Sequence, residues 1–91
     1  MEFIWNEEKN NLLKRERGIS FEMVVEAIFN DKIIDVVSHP NIEKYGHQKI
    51  YVIDFNGYCY LVPFVETEDG DIFLKTVFPS RKAVREYKGG K

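Results

Sequence analysis

The stretch "KIYVIDFNGYCYLVPFV", residues 49–65, decides the fold. Two runs of β-branched and aromatic residues flank Asn56-Gly57, a dipeptide suited to the two-residue turn in which both positions take positive φ. The runs therefore read as adjacent antiparallel strands. Along the first, Ile50, Val52 and Asp54 share one face and Tyr51, Ile53 and Phe55 the other. Both faces are largely apolar, so the sheet is either covered on two sides or keeps one side as a binding surface. Pro63 interrupts the second run; with no N–H to give to a ladder, it marks a bulge or an unpaired side.

Outward from this hairpin the pattern continues. "DIFLKTVF" (71–78) follows the acidic loop "ETEDGD" with its Gly70, and "IIDVVS" (33–38) precedes the longer loop "HPNIEKYGHQ". Four strands in succession predict an antiparallel meander. Ahead of them lie two helices. "EFIW" reads as a short strand ended by Asn6, an N-cap whose following Glu7 and Glu8 suit the first helical turn, and Gly18 ends that helix, which carries Leu12 and Leu13 inward. Ser20 caps the second, where Phe21, Val24, Val25 and Ile28 follow the spacing of one buried face and Ile19 staples onto Val24. Ser80 caps a short last helix from Arg81 to about Tyr87. Helices followed by a run of strands predict an α+β fold: a short N-terminal strand, two helices on one face of a four-strand antiparallel meander, and a short C-terminal helix.

Ninety-one residues with 44% hydrophobic and 14% aromatic content suit a single domain, 1–91, with one core. No run of about 18 apolar residues is present and the N-terminus is acidic, so the chain reads as soluble and cytoplasmic, with no membrane partner. Cys59 is the single cysteine and reads as a small apolar filler. His39 and His47 read as solvent-facing loop residues. Together with Cys59 they lack ligand spacing, and the acids of "ETEDGD" lack that of a calcium loop, so neither metal nor cofactor is expected.

Charge is unevenly placed. From Arg81 to Lys91, five basic residues (Arg81, Lys82, Arg85, Lys88, Lys91) stand against Glu86, in a chain of net charge −2. Such segregation bears on partners: the tail is either a solvated helix end or a contact for an anionic polymer.

Three short motifs resemble the BrnT family of toxins: Phe3, Trp5, Asn6, Glu8, Lys9 and Asn10 at the start, Gly18 to Glu22 in the link, and Ser80 to Ala83 with Tyr87 at the end. The resemblance implies a RelE-like fold and an RNA-cleaving toxin of a type II toxin–antitoxin pair. It also implies a cognate antitoxin partner, with homodimer or toxin–antitoxin heterotetramer as assemblies, and RNA, free or on the ribosome, as substrate. Two positions depart from the family pattern. Glu16-Arg17-Gly18 stands where members read lysine-histidine-glycine, and Thr76, with Lys75 beside it, stands where they carry a strand arginine.

Metal-independent cleavage of RNA needs activation of a 2′-hydroxyl, charge stabilisation at the phosphate and a proton for the departing oxygen. Arg81 and Lys82, in the first turn of the last helix, suit the phosphate; Tyr87 suits stacking on a base or donating a proton. Arg85, one turn on, with Lys75 and Lys49 from the strands, extends the RNA-binding set. Tyr45, Tyr51, Tyr58 and Tyr60 would stack on bases only if exposed, and the strand tyrosines among them are packing residues first. The alternative is a non-catalytic protein-binding or RNA-binding module on the same fold.

Overall fold

The structure, a computed structural model, describes residues 1–89, and Lys91 of the basic tail lies outside them. The elements run β1 (Phe3–Ile4), α1 (Glu7–Arg17), α2 (Phe21–Phe29), β2 (Ile33–Ser38), α3 (Ile42–Tyr45), β3 (Lys49–Phe55), β4 (Tyr58–Glu66), β5 (Ile72–Leu74), β6 (Phe78–Pro79) and α4 (Arg81–Val84). A π-helical stretch, Arg85–Gly89, continues α4 without a break.

The Asn56-Gly57 hairpin forms as expected, with φ of 53° and 87° at its two turn residues and an uninterrupted register from Phe55↔Tyr58 to Lys49↔Phe64. Asp54 Oδ1 accepts the Gly57 N–H at 2.8 Å, which ties the turn to its own strand. Around this pair the sheet has the order β1-β5-β4-β3-β2. The meander β2 to β5 is antiparallel, and β1 joins the outer side of β5 in parallel, Phe3↔Ile72 and Ile4↔Phe73. Asp71 helps to hold that edge: its Oδ1 accepts the Glu2 N–H at 2.9 Å.

The last expected strand, 71–78, is two strands. Leu74 pairs with Phe64 and Phe78 with Leu61, so three residues on one side oppose two on the other: a bulge at Lys75–Val77. Its cause lies across the ladder. Pro63 sits opposite the break and offers only its carbonyl, which accepts the Lys75 N–H at 2.8 Å. The bulge returns Val77 to the helix-side core, where it is fully buried.

Helix α1 begins and ends, and α2 begins, at the expected residues. Asn6 Oδ1 accepts the Lys9 N–H, Gly18 closes α1 with φ 67°, and Ser20 caps α2 through the Met23 N–H. The chain leaves α2 through Asp31 at φ 60°, a left-handed position taken by a residue type that tolerates it. Between α1 and α2 sits Asn10, fully buried. Its Oδ1 accepts the Phe21 N–H at 2.8 Å, while its Nδ2 donates to Glu22 Oε1 at 2.8 Å and Glu7 Oε1 at 3.3 Å. Trp5 stacks on Phe21, ring centroids 5.6 Å apart, and donates Nε1–H to Glu7. Two of the three motifs that resemble the toxin family thus meet in space and bind the helix pair together.

The core lies between the helices and one sheet face: Leu13, Phe21, Val24 and Ala27 against Tyr51, Ile53, Val62, Phe64, Leu74 and Val77. Leu12, expected inward with Leu13, is half-buried. Tyr51 stacks on Phe64 at 4.0 Å, so this tyrosine is packing and not a platform. The opposite face is covered as well. Val52 and Cys59 are buried there against Ala83 of α4, which resolves the two-sided apolar pattern of β3 into two covered faces. The loop "HPNIEKYGHQ" contains one helical turn, α3, capped by Asn41; His39, expected to face solvent, is half-buried with its ring 4.5 Å from that of Tyr45.

Candidate functional site

The C-terminal segment reaches its position because β6 carries the chain along β4 to Cys59, whose carbonyl accepts the Ser80 N–H at 3.0 Å. Ser80 Oγ then accepts the Ala83 N–H at 3.0 Å and starts α4. Ala83 seats the helix on Val52 and Cys59, and the π stretch carries it across to β3 and β2. Widened helical turns of this kind recur at functional sites. Two side-chain links fasten the far end. Tyr87 donates its hydroxyl proton to Asp35 Oδ2 at 2.8 Å, and Lys88 Nζ pairs with Asp54 Oδ2 at 2.7 Å.

An open cleft of about 200 Å³ lies beneath this segment. Its floor is Ile50, Val52 and Leu61; Lys82, Glu86 and Tyr87 form one side, with Val37, Ser38 and Pro40 facing them. The floor is apolar and the helix side is polar and charged. That combination suits a ligand with a flat apolar part and a charged part.

The expected site residues divide by face. Arg81, Lys82, Arg85 and Tyr87 come together on the C-terminal segment. Lys75 joins their side of the sheet: it lies opposite Pro63, and its ammonium stands 5.6 Å over the ring of Phe73. It is displaced along β4 by four residues from the Cys59 anchor, roughly 13 Å at strand rise. Lys49 is on the other side. It pairs with Phe64, whose side chain is in the helix-side core, and strand alternation puts both on that face. Lys49 therefore does not join the group.

Among the described residues the one ion pair is Lys88–Asp54, so Arg81, Lys82, Arg85 and Lys75 are exposed cations free of carboxylate partners. The regular α-helical part of the segment is only four residues long, which leaves little aligned dipole. The charge this segment offers is therefore that of its side-chain cations rather than that of its helix end.

Asp54 is held below the usual carboxylate range, first by its hydrogen bond from Lys88 and then by the Gly57 N–H; the same contact raises Lys88. Tyr87 is raised above the usual phenol range, chiefly by donating to Asp35. Asp35 and Asp54 were not singled out in sequence. Each is a lone acid inside an apolar strand, at a position that faces the C-terminal segment, and that mismatch was the available signal. Arg17, at the position where the sequence departs from the BrnT-like pattern, donates from Nη1 to the Val77 carbonyl at 2.8 Å and so props the bulge. Thr76, the second position that departs from the BrnT-like pattern, lies within it. Cys59 is buried, and burial raises its thiol. Among the described residues no group of three His, Cys, Asp or Glu side chains is placed to hold a metal ion, and no helix is long and apolar enough to cross a membrane.

The mixed α+β architecture of this chain, helices packed on a six-strand sheet, matches the BrnT toxin fold. The crystal structure of the Brucella abortus ribonuclease toxin BrnT superposes on this chain with a TM-score of 0.64, at 17% identity, over 88% of this chain and 96% of that one. No protein-family model matches the sequence, and no curated protein matches it either. The chain has a BrnT-like fold.

Proposed function

We propose that this chain is a ribonuclease toxin of a type II toxin–antitoxin pair, acting as a single domain in the cytoplasm and neutralised by a cognate antitoxin protein. The observation that carries this reading is the set of exposed cations, Arg81, Lys82 and Arg85, that have no carboxylate partner among the described residues and stand beside an open cleft on a BrnT-like fold. Arg81 and Lys82 stabilise the charge that develops on the in-line phosphate, as fixed cations do in phosphoryl chemistry. Arg85 and Lys75 hold neighbouring phosphates, and Tyr87 contacts a base from the wall of the cleft. Lys49, on the opposite face, has no part in this site.

The test is induction of the chain alone, compared with Arg81→Ala and Lys82→Ala variants that fold equally well, with growth and total RNA followed together. Growth arrest and RNA fragmentation in the parent, absent in the variants, are expected. Intact RNA and normal growth in the parent would remove the catalytic reading.

One observation favours a second reading, a non-catalytic RNA-binding or protein-binding module. Arg17 is committed to the Val77 carbonyl and Tyr87 to Asp35, so two groups available for proton transfer or charge stabilisation are already engaged. Under that reading Arg81→Ala weakens complex formation while no form of the protein cleaves RNA.

A further inference from the structure

The bond between Tyr87 and Asp35 limits what the tyrosine can do. A phenol carries one proton, and this one goes to Asp35 Oδ2 at 2.8 Å. The carboxylate is itself held, because Oδ1 accepts the Val36 N–H at 2.8 Å. Asp35 pairs with Val52 in the sheet, on the face that α4 covers, so its position is set by the ladder and not by the mobile reach of a long side chain. Tyr87 stays 38% exposed and lines the cleft with Lys82 and Glu86. What it presents to a ligand is therefore a ring fixed in orientation and an oxygen that accepts, not a proton to give.

We infer that Asp35 is a positioning residue of the proposed RNA site: it fixes the Tyr87 ring as a wall of the cleft and reserves the phenolic proton, so that Tyr87 acts by ring contact and not as the general acid. This rests on the ribonuclease reading above. It decides between the two roles that the sequence left open for Tyr87, and it names a residue that the sequence did not. The raised phenol agrees with it, since a neighbouring carboxylate favours the protonated form.

The experiment uses the full chain and a single-stranded RNA oligonucleotide of mixed sequence, with kcat and KM measured for the parent, Tyr87→Phe, Asp35→Ala, the double variant and Asp35→Asn. Removing the hydrogen bond from either end loosens the same ring, so Tyr87→Phe and Asp35→Ala each raise KM about fivefold with kcat nearly unchanged. The double variant is no worse than either single one, as two ends of one interaction require. Asp35→Asn can still tie the ring, its Oδ1 keeping the Val36 N–H while its Nδ2 donates to the phenolic oxygen, so it brings KM most of the way back to the parent value, and it also serves should Asp35→Ala fold poorly. An alkaline absorbance titration is expected to show two tyrosines ionising late in the parent, Tyr51 through burial and Tyr87 through Asp35, and only Tyr51 late in Asp35→Ala.

A drop in kcat of about a hundredfold or more in Tyr87→Phe alone, the signature of a missing general acid, overturns the inference, as do additive effects in the double variant. A parent that cleaves no RNA overturns the ribonuclease reading and this inference with it, an outcome distinct from additive variants of an active parent.

Discussion

Replacing Asn10 by alanine tests whether one buried amide holds the helix pair together. The substitution strands the buried Phe21 N–H, which now donates to Asn10 Oδ1 at 2.8 Å; an unpaired buried donor costs about 1–3 kcal/mol. It also removes the 2.8 Å hydrogen bond to Glu22, a surface carboxylate, worth about 0.5–1 kcal/mol after screening by solvent. Alanine's better helix propensity offsets about 0.5 kcal/mol. The net destabilisation is about 2 kcal/mol, which at a urea slope of about 1–2 kcal/mol/M moves the unfolding midpoint down by about 1–2 M with the slope unchanged. Asn10→Asp adds a second check. Its carboxylate still accepts from Phe21 N–H but faces Glu22, so it is destabilising at neutral pH and approaches the parent as acid protonates the pair. A midpoint shift below about 0.3 M for Asn10→Ala would refute the reasoning, and so would an Asn10→Asp penalty that grows in acid.

Three further outcomes are expected. Asp54 and Glu22 are both held below the ordinary carboxylate range, Asp54 by Lys88 and Glu22 by Asn10, so their stabilisation is complete at neutral pH and fades as pH falls below about 4. Asp54→Asn and Glu22→Gln therefore flatten the acid limb of a stability–pH curve measured by urea unfolding. Gly57→Ala meets no atom within 4 Å but must adopt φ 87°, so it costs about 1–2 kcal/mol through backbone conformation alone, read as a lower urea midpoint. For RNA binding, each of Arg81→Ala, Lys82→Ala and Arg85→Ala weakens affinity for a single-stranded oligonucleotide and reduces the slope of log K against log salt by about 0.7 for each phosphate that is no longer neutralised. Lys49→Ala leaves that slope unchanged.

Most of the fold was legible because its signals are local. Asn56-Gly57 sets a turn by the φ values that two adjacent residues accept, and Asn6, Gly18 and Ser20 set helix ends within one turn of themselves. The motif residues that pointed to the toxin family were legible for the same reason. Trp5, Asn6, Asn10 and Glu22 are builders of the helix pair, so likeness in them speaks for the fold and leaves the chemistry to other residues. The site was less legible. Arg81, Lys82, Arg85 and Tyr87 fall together because they are near one another in the chain, but Lys49 was grouped with them on charge alone, and the parity of strand β3 puts it on the far face.

What the sequence determined by itself is the order and type of the main elements up to the hairpin strands, the two-residue hairpin and the basic character of the C-terminal segment, all of which depend on neighbours a few residues apart; the split of the last strand, the turn α3 and the π stretch were not among them. Only the tertiary structure decided the rest. Pro63 predicted a bulge without saying which partner would carry it; the break fell at Lys75–Val77, because a missing N–H on β4 is compensated across the ladder. The partners of Tyr87 and Lys88 are acids 52 and 34 residues away, brought under them by the crossing of one helix over two strands. Side-chain chemistry is written in the sequence, but which groups neutralise one another and which remain free is set by contacts that no local pattern encodes.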